Sequence, residues 1–109
     1  MAWLVRADHV ISSLYRAPGR LLFASVKNRQ LPDDESTLLK PASILVTWRL
    51  NFGVFVVRLA DDGSITSLRH HRGRAFPLFV PALRTTVIVP QKIAEHSRLS
   101  LGDIFEVID

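Results

Sequence analysis

The sequence predicts a small, mostly antiparallel β-barrel-like domain with one or two short helices. Three observations lead there. First, β-branched and aromatic residues gather in short runs, Ser43–Leu50, Phe52–Leu59 and Thr85–Val89, and such residues suit a pleated, half-buried surface. Second, Asp61-Asp62-Gly63 follows one of these runs. Its glycine supplies the positive φ that a tight hairpin turn needs. Third, the clearest helical segment is short. It starts at Pro90, a residue that suits a first helical turn, and covers Gln91–Ser97 with Ile93 and Ala94 as its buried side.

Taken in order, residues 2–6 alternate weakly and read as a strand. Asp8 is placed to cap a short helix through Val10, Ile11, Leu14 and Tyr15, an i, i+3, i+4 pattern. A strand fits there too, because Val10 and Ile11 are β-branched. Ala17-Pro18-Gly19 stops the segment. Leu21–Val26 is apolar and of undecided type. Leu31-Pro32-Asp33-Asp34 is a turn. Phe52–Leu59 carries Phe52, Val54 and Val56 on one alternating face and Phe55, Val57 and Leu59 on the other. A strand apolar on both faces belongs inside a sheet or in a barrel wall. Ser64–Arg69 returns as its partner, and His70–Arg74 reads as a basic loop. Pro77 and Pro81 bracket Leu78-Phe79-Val80 and assign it to an edge or a connection. Leu99–Asp103 is a turn and Ile104–Ile108 a closing strand. Six or seven strands result.

Composition narrows the chemistry. The chain has 109 residues, the size of one ordinary domain. It has no cysteine, which removes disulfides, thiolate zinc sites and a cysteine nucleophile. No apolar run reaches the roughly 18–20 residues of a membrane span. The start, Met1–Arg6, lacks the features of a secretory leader, so the expected location is cytoplasmic, with no membrane partner. The formal charge is +4, and residues 1–32 and 36–74 each carry +4 against −3 for Asp33-Asp34-Glu35 and −1 for residues 75–109. A mild basic surface in the first two thirds follows.

The succession Leu31-Pro32-Asp33-Asp34-Glu35, Leu38-Leu39, Trp48, Val54–Leu59, Asp61-Asp62-Gly63-Ser64-Ile65 precedes a C-terminal unit. That unit comprises Val87-Ile88-Val89-Pro90, Ile93-Ala94-Glu95 and Leu99-Ser100-Leu101-Gly102-Asp103-Ile104-Phe105-Glu106-Val107. In this order the motifs resemble the uncharacterised small β-barrel family known as domain of unknown function 192, across about residues 20–108. The resemblance implies a fold and no established activity. The family's Trp-Met-Lys-Asn-Thr run is replaced here by Val46-Thr47-Trp48-Arg49-Leu50-Asn51, so its polar centre is altered. The C-terminal unit alone, about residues 80–109, also resembles the AbrB-like swapped-hairpin family of DNA-binding regulators.

Candidate functional residues fall in two clusters. Arg69, His70, His71, Arg72 and Arg74 form the densest basic group and suit an anion. Adjacent histidines on an extended chain point to opposite sides and chelate one metal poorly. Trp48, Arg49 and Asn51 could line a pocket for a small anionic or planar ligand. If the two clusters are adjacent they form one rim. Asp33-Asp34-Glu35 lacks the spaced oxygens of a calcium loop, and there is no nucleophile elbow or phosphate-binding glycine loop. The expectation is a non-enzymatic binding or accessory module, without cofactor, for a small ligand or a protein partner. The alternative is a dimeric DNA-binding domain of swapped-hairpin type, disfavoured by the acidic balance of the last 35 residues. A hydrolase would need Asp8 or Asp103 hydrogen-bonded to a histidine in a cleft.

Overall fold

A computed structural model describes the backbone of residues 2–16, 21–23, 25–26, 29–30, 34–39, 43–46, 52–71, 79–82 and 85–109, with side chains in 2–16, 34–39, 52–71 and 85–109. Among the described residues, twelve strands and one helix follow one another: β1 Ala2–Arg6, β2 His9–Arg16, β3 Leu21–Phe23, β4 Ser25–Val26, β5 Arg29–Gln30, β6 Glu35–Leu39, β7 Ser43–Val46, β8 Val54–Leu59, β9 Ile65–His71, β10 Phe79–Ala82, β11 Thr86–Pro90, α1 Gln91–Ser97 and β12 Phe105–Ile108. Seven strands form one sheet in the order β12-β1-β2-β6-β11-β8-β9, curled into a half-barrel. A second sheet runs β10-β7-β3, and β4 pairs with β5. Most ladders are antiparallel; β2–β6 and β3–β7 are parallel. The predicted fold class holds.

The helix expected from Asp8 is a strand. Arg6 pairs with His9, so Ala7 and Asp8 make a two-residue hairpin loop between β1 and β2. Both have positive φ, 50° and 66°, the conformation of a type I′ turn, whose twist matches that of the flanking strands. Asp8 is therefore a turn residue, not a helix cap. Ser12 and Leu14 turn inward while Ile11, Ser13 and Tyr15 between and beside them are less buried, an alternation of two rather than a helical stripe. A strand not foreseen, β6, lies between β2 and β11. Its Ser36 and Thr37 are buried. Ser36 shares a 2.7 Å hydroxyl bond with buried Ser12, which meets the need of a buried polar group for a partner.

β8 does what its two apolar faces require. It lies between β11 and β9, with Val54, Val56, Val57 and Leu59 all buried. One face, with Val57 and Leu59, joins Leu4, Leu14, Val87, Val89, Phe105 and Ala94 of the helix in a single core. Each buried Val, Leu or Phe contributes about 1.5–3 kcal/mol through removal from water. The helix matches the predicted 91–97 span. Pro90 holds its N-cap position without a side-chain capping bond, and Arg98 ends it in the left-handed conformation at φ 52°. Ala94 is its buried residue and Ile93 packs at the margin of the core. The predicted edge character of residues 78–80 also holds for its described part, since among the described residues β10 ends its sheet, and it contains Pro81.

The curled sheet is stitched at one corner. The turn Asp61-Asp62-Gly63 brings Gly63 to φ 88°, and Asp62 accepts bonds from the Ser64 N–H at 2.9 Å and hydroxyl at 2.7 Å. Ser64 then bridges to Ile104. The Ile65 N–H donates to Asp103 C=O at 2.8 Å, Gly102 N–H to Ile65 C=O at 3.0 Å, and Phe105 N–H to Gly63 C=O at 2.9 Å. Arg6 clamps the same corner through Asp103 at 3.1 Å. The sequence features Ala17-Pro18-Gly19, Leu31-Pro32-Asp33 and Pro77-Leu78 lie outside the described residues.

Candidate functional site

Three chain segments converge at one end of the large sheet. β8 enters there, preceded by Phe52 and Gly53; β9 leaves there through His70 and His71; α1 begins there at Gln91. Strand pairing sets the first two side by side, with Val54 opposite His71 and Phe55 opposite His70. The helix joins them because Pro90 pairs with Val54 and the Gln91 N–H donates to the Gly53 carbonyl at 2.9 Å.

His70 and His71 thus end a strand and do not open the loop that the sequence suggested. The reason is cross-strand pairing: β9 continues as long as β8 supplies a partner. Their side chains separate to opposite faces, as an extended chain demands. On one face, the His70 ring lies 5.0 Å from that of Phe55 at 45°. Its Nε2 is 3.0 Å from Gln91 Oε1, and the other end of that amide donates from Nε2 to Glu95 Oε1 at 2.7 Å. A carboxylate oxygen only accepts, so the amide NH₂ must face Glu95 and its oxygen must face His70. The His70 Nε2 therefore carries the proton. Gly53 makes room for this pair, because a Cβ there would clash with Gln91 Oε1 and lie 2.7 Å from His70 Nε2.

On the other face stand His71 and, two residues earlier, Arg69. His71 is half-buried, and its pKa is held below the usual 6.5 by burial first, then by the charges of His70 and Arg69. Next to the histidine–amide pair is an open cleft of about 330 Å³ lined by Phe52, Gly53, Pro90, Gln91, Lys92 and Glu95. That volume suits a small molecule.

Of the residues singled out from sequence, Arg69, His70 and His71 are in this region. Trp48, Arg49, Asn51, Arg72 and Arg74 lie outside the described residues. Asn51 directly precedes Phe52 and Arg72 directly follows His71 in sequence. Gly53, Gln91 and Glu95 were not singled out as site residues. Two signals pointed to them: an isolated glycine within an apolar strand run, which marks close approach, and a Gln–Glu pair at i, i+4 on one helix face. Asp103 faces Arg6 and Asp8 sits in an exposed hairpin turn. Among the described residues no three of His, Asp or Glu gather as a metal group, and no helix is long and apolar enough to cross a membrane.

No protein-family model matches the sequence, and no curated protein matches it. Two solved structures share its fold. One is a putative transcription regulator from Sinorhizobium meliloti 1021, with a TM-score of 0.58 and 16% identity over 97% of this chain and 91% of that one. The other is a protein of unknown function from Novosphingobium aromaticivorans DSM 12444, with a TM-score of 0.54 and 16% identity over 96% and 82% of the two chains. At that identity the likeness is one of fold, and a fold does not carry a function with it.

Proposed function

We propose that this chain is a non-enzymatic binding or accessory module whose recognition surface is the sheet end shared by Phe52–Gly53, His70–His71 and Gln91–Glu95. The observation that carries this reading is the convergence of three segments at one sheet end, held by the Gln91–Gly53 backbone bond and the His70–Gln91 contact, beside a cleft that two of them line. The ligand class is a small molecule with an anionic group. Lys92 supplies positive charge at the cleft, and Phe52 and Pro90 supply an apolar wall; His70 borders it through Gln91, and Arg69 and His71 add basic character on the opposite face of β9. Arg72 and Arg74, which follow in sequence, add to the same sign. Trp48, Arg49 and Asn51 belong to this proposal as the segment leading into Phe52. The fold is compatible with divergent membership of domain of unknown function 192, and a cytoplasmic setting fits this reading.

The test is a titration with inorganic pyrophosphate followed by backbone amide NMR. Saturable shifts centred on Gly53, His70 and Gln91 are expected. Shifts absent, or spread evenly over all basic segments, would remove the reading.

The swapped-hairpin alternative is less well supported. It needs the C-terminal strands to interleave with a partner. Here β11 is paired on both edges and β12 is paired to β1 within one chain. Light scattering with a duplex-DNA titration at two salt concentrations separates the readings: a dimer with steeply salt-sensitive binding favours the alternative.

A further inference from the structure

The large sheet ends on β9. Ile65, at the start of that strand, is engaged on its outer side by residues 102–105 at the corner seam. From Thr66 to His71 no strand pairs with that outer side among the described residues. Six extended residues give about 20 Å of edge. The N–H and C=O groups along such an edge are a template for another strand. Its chemistry is one-sided. Arg69 and His71 stand on one face and His70 on the other, by strand alternation against β8. No acidic residue occurs between Ile65 and His71, and the polar remainder is Thr66 and Ser67.

We propose that this edge takes an extended acidic peptide segment of a partner protein as an added strand. Main-chain hydrogen bonds supply the pairing, and side chains at alternate positions supply the choice of partner. Acidic residues at alternate positions of the incoming strand meet Arg69 and His71 on one face, and the apolar residues between them lie on the face of Leu68 and His70. Charge on an edge strand also guards against indiscriminate pairing. A guard of one sign repels strands of that sign and admits the opposite one, which is how repulsion becomes specificity. The inference does not depend on the cleft binding a ligand, because the outer edge of β9 is the side turned away from β8.

The test uses the full chain and three blocked eight-residue peptides. One alternates Glu and Val, one alternates Lys and Val, and the third is the acidic peptide N-methylated at alternate backbone nitrogens. The acidic peptide is expected to bind by fluorescence anisotropy. The basic one is expected not to, and the N-methylated one to bind at least tenfold more weakly. Hydrogen exchange should slow at Thr66–His71 in the complex, and Arg69→Glu should weaken binding at least tenfold with an unchanged far-UV spectrum. Absence of binding overturns the proposal. So does equal binding of the N-methylated peptide, which would show charge attraction without strand pairing. Protection confined to Gly53 and Gln91 would assign the peptide to the cleft and likewise overturn it. A mass that rises with concentration in the absence of peptide would seat a second copy on the edge instead, with β12 and its Glu106 as the occupant.

Discussion

The chemistry of single side chains decides what the sheet end can present. His70 is held as the Nε2–H tautomer by an amide that Glu95 orients, and Gly53 leaves the space in which they meet. Gly53→Ala is therefore expected to separate His70 from Gln91. Loss of one partly exposed hydrogen bond costs about 1 kcal/mol. The sharper readout is the imidazole ¹⁵N spectrum at pH 8: one tautomer in the parent, a mixture of both in the variant. An unchanged tautomer ratio would show that Gln91 does not select it. His71 gives a second prediction, on pH. Its pKa is depressed from 6.5, mainly by burial, so below pH 6.5 the unfolded chain takes up the proton before the folded one. Stability is then fully present above 6.5, falls as the pH drops through 6.5 toward the lowered folded value, and levels off below it. His71→Gln should flatten that slope in urea midpoints measured between pH 8 and pH 5. A slope equal to the parent's would sink the assignment.

The helix and strands succeed or fail on local rules that can be tested one element at a time. α1 ends on Arg98 at φ 52°, where the Arg98 N–H reaches Glu95 C=O at 3.3 Å and the Leu99 N–H reaches Ala94 C=O at 3.4 Å. A side chain in this conformation costs about 1 kcal/mol that glycine does not. Arg98→Gly should raise the unfolding free energy by about 1 kcal/mol, seen as a higher urea midpoint at unchanged slope; no rise would mean the arginine side chain offsets its strain elsewhere. This helix was legible to the residue, because Pro90 marks its start and Ile93-Ala94 its inner side. β2 was ambiguous because Val10, Ile11, Leu14 and Tyr15 have helical spacing while Val10 and Ile11 are β-branched. The deciding feature is a turn through Ala7 and Asp8, a pair without the glycine that usually announces it. β6 was missed because Ser36 and Thr37 do not look like core residues. They become core by lying between β2 and β11, a neighbourhood that local sequence does not encode. The candidate site was half legible for the same reason. The basic run Arg69–His71 is contiguous, whereas Gly53, Gln91 and Glu95 meet only after α1 has crossed to the start of β8.

Over the whole molecule, the half-barrel depends on a corner where residue 63 meets residue 105. The ends of the chain are tied together there, with β1 paired to β12 and Arg6 to Asp103. Contacts this distant in sequence carry a large loop-closure cost, so the corner is where the curl is most exposed to disruption. Two glycines allow its contribution to be isolated. Gly63 and Gly102 share φ 88°, but a Cβ at Gly63 would lie 2.5 Å from the Phe105 carbonyl oxygen, while one at Gly102 would meet nothing within 4 Å. An alanine at either position incurs the same backbone strain, about 1 kcal/mol. At Gly63 it must also push β12 away from the hairpin, an overpacking cost of about 1–3 kcal/mol. Gly63→Ala should therefore be the more destabilising by that difference in urea unfolding. It should also speed hydrogen exchange at the Phe105 and Ile65 amides, which donate across the corner. The Val57 and Val87 amides, deep in the sheet, should slow or speed only with global stability. Equal effects of the two alanines would mean that the corner adds nothing beyond its turns, and that the curl is set by the twist of the seven strands themselves.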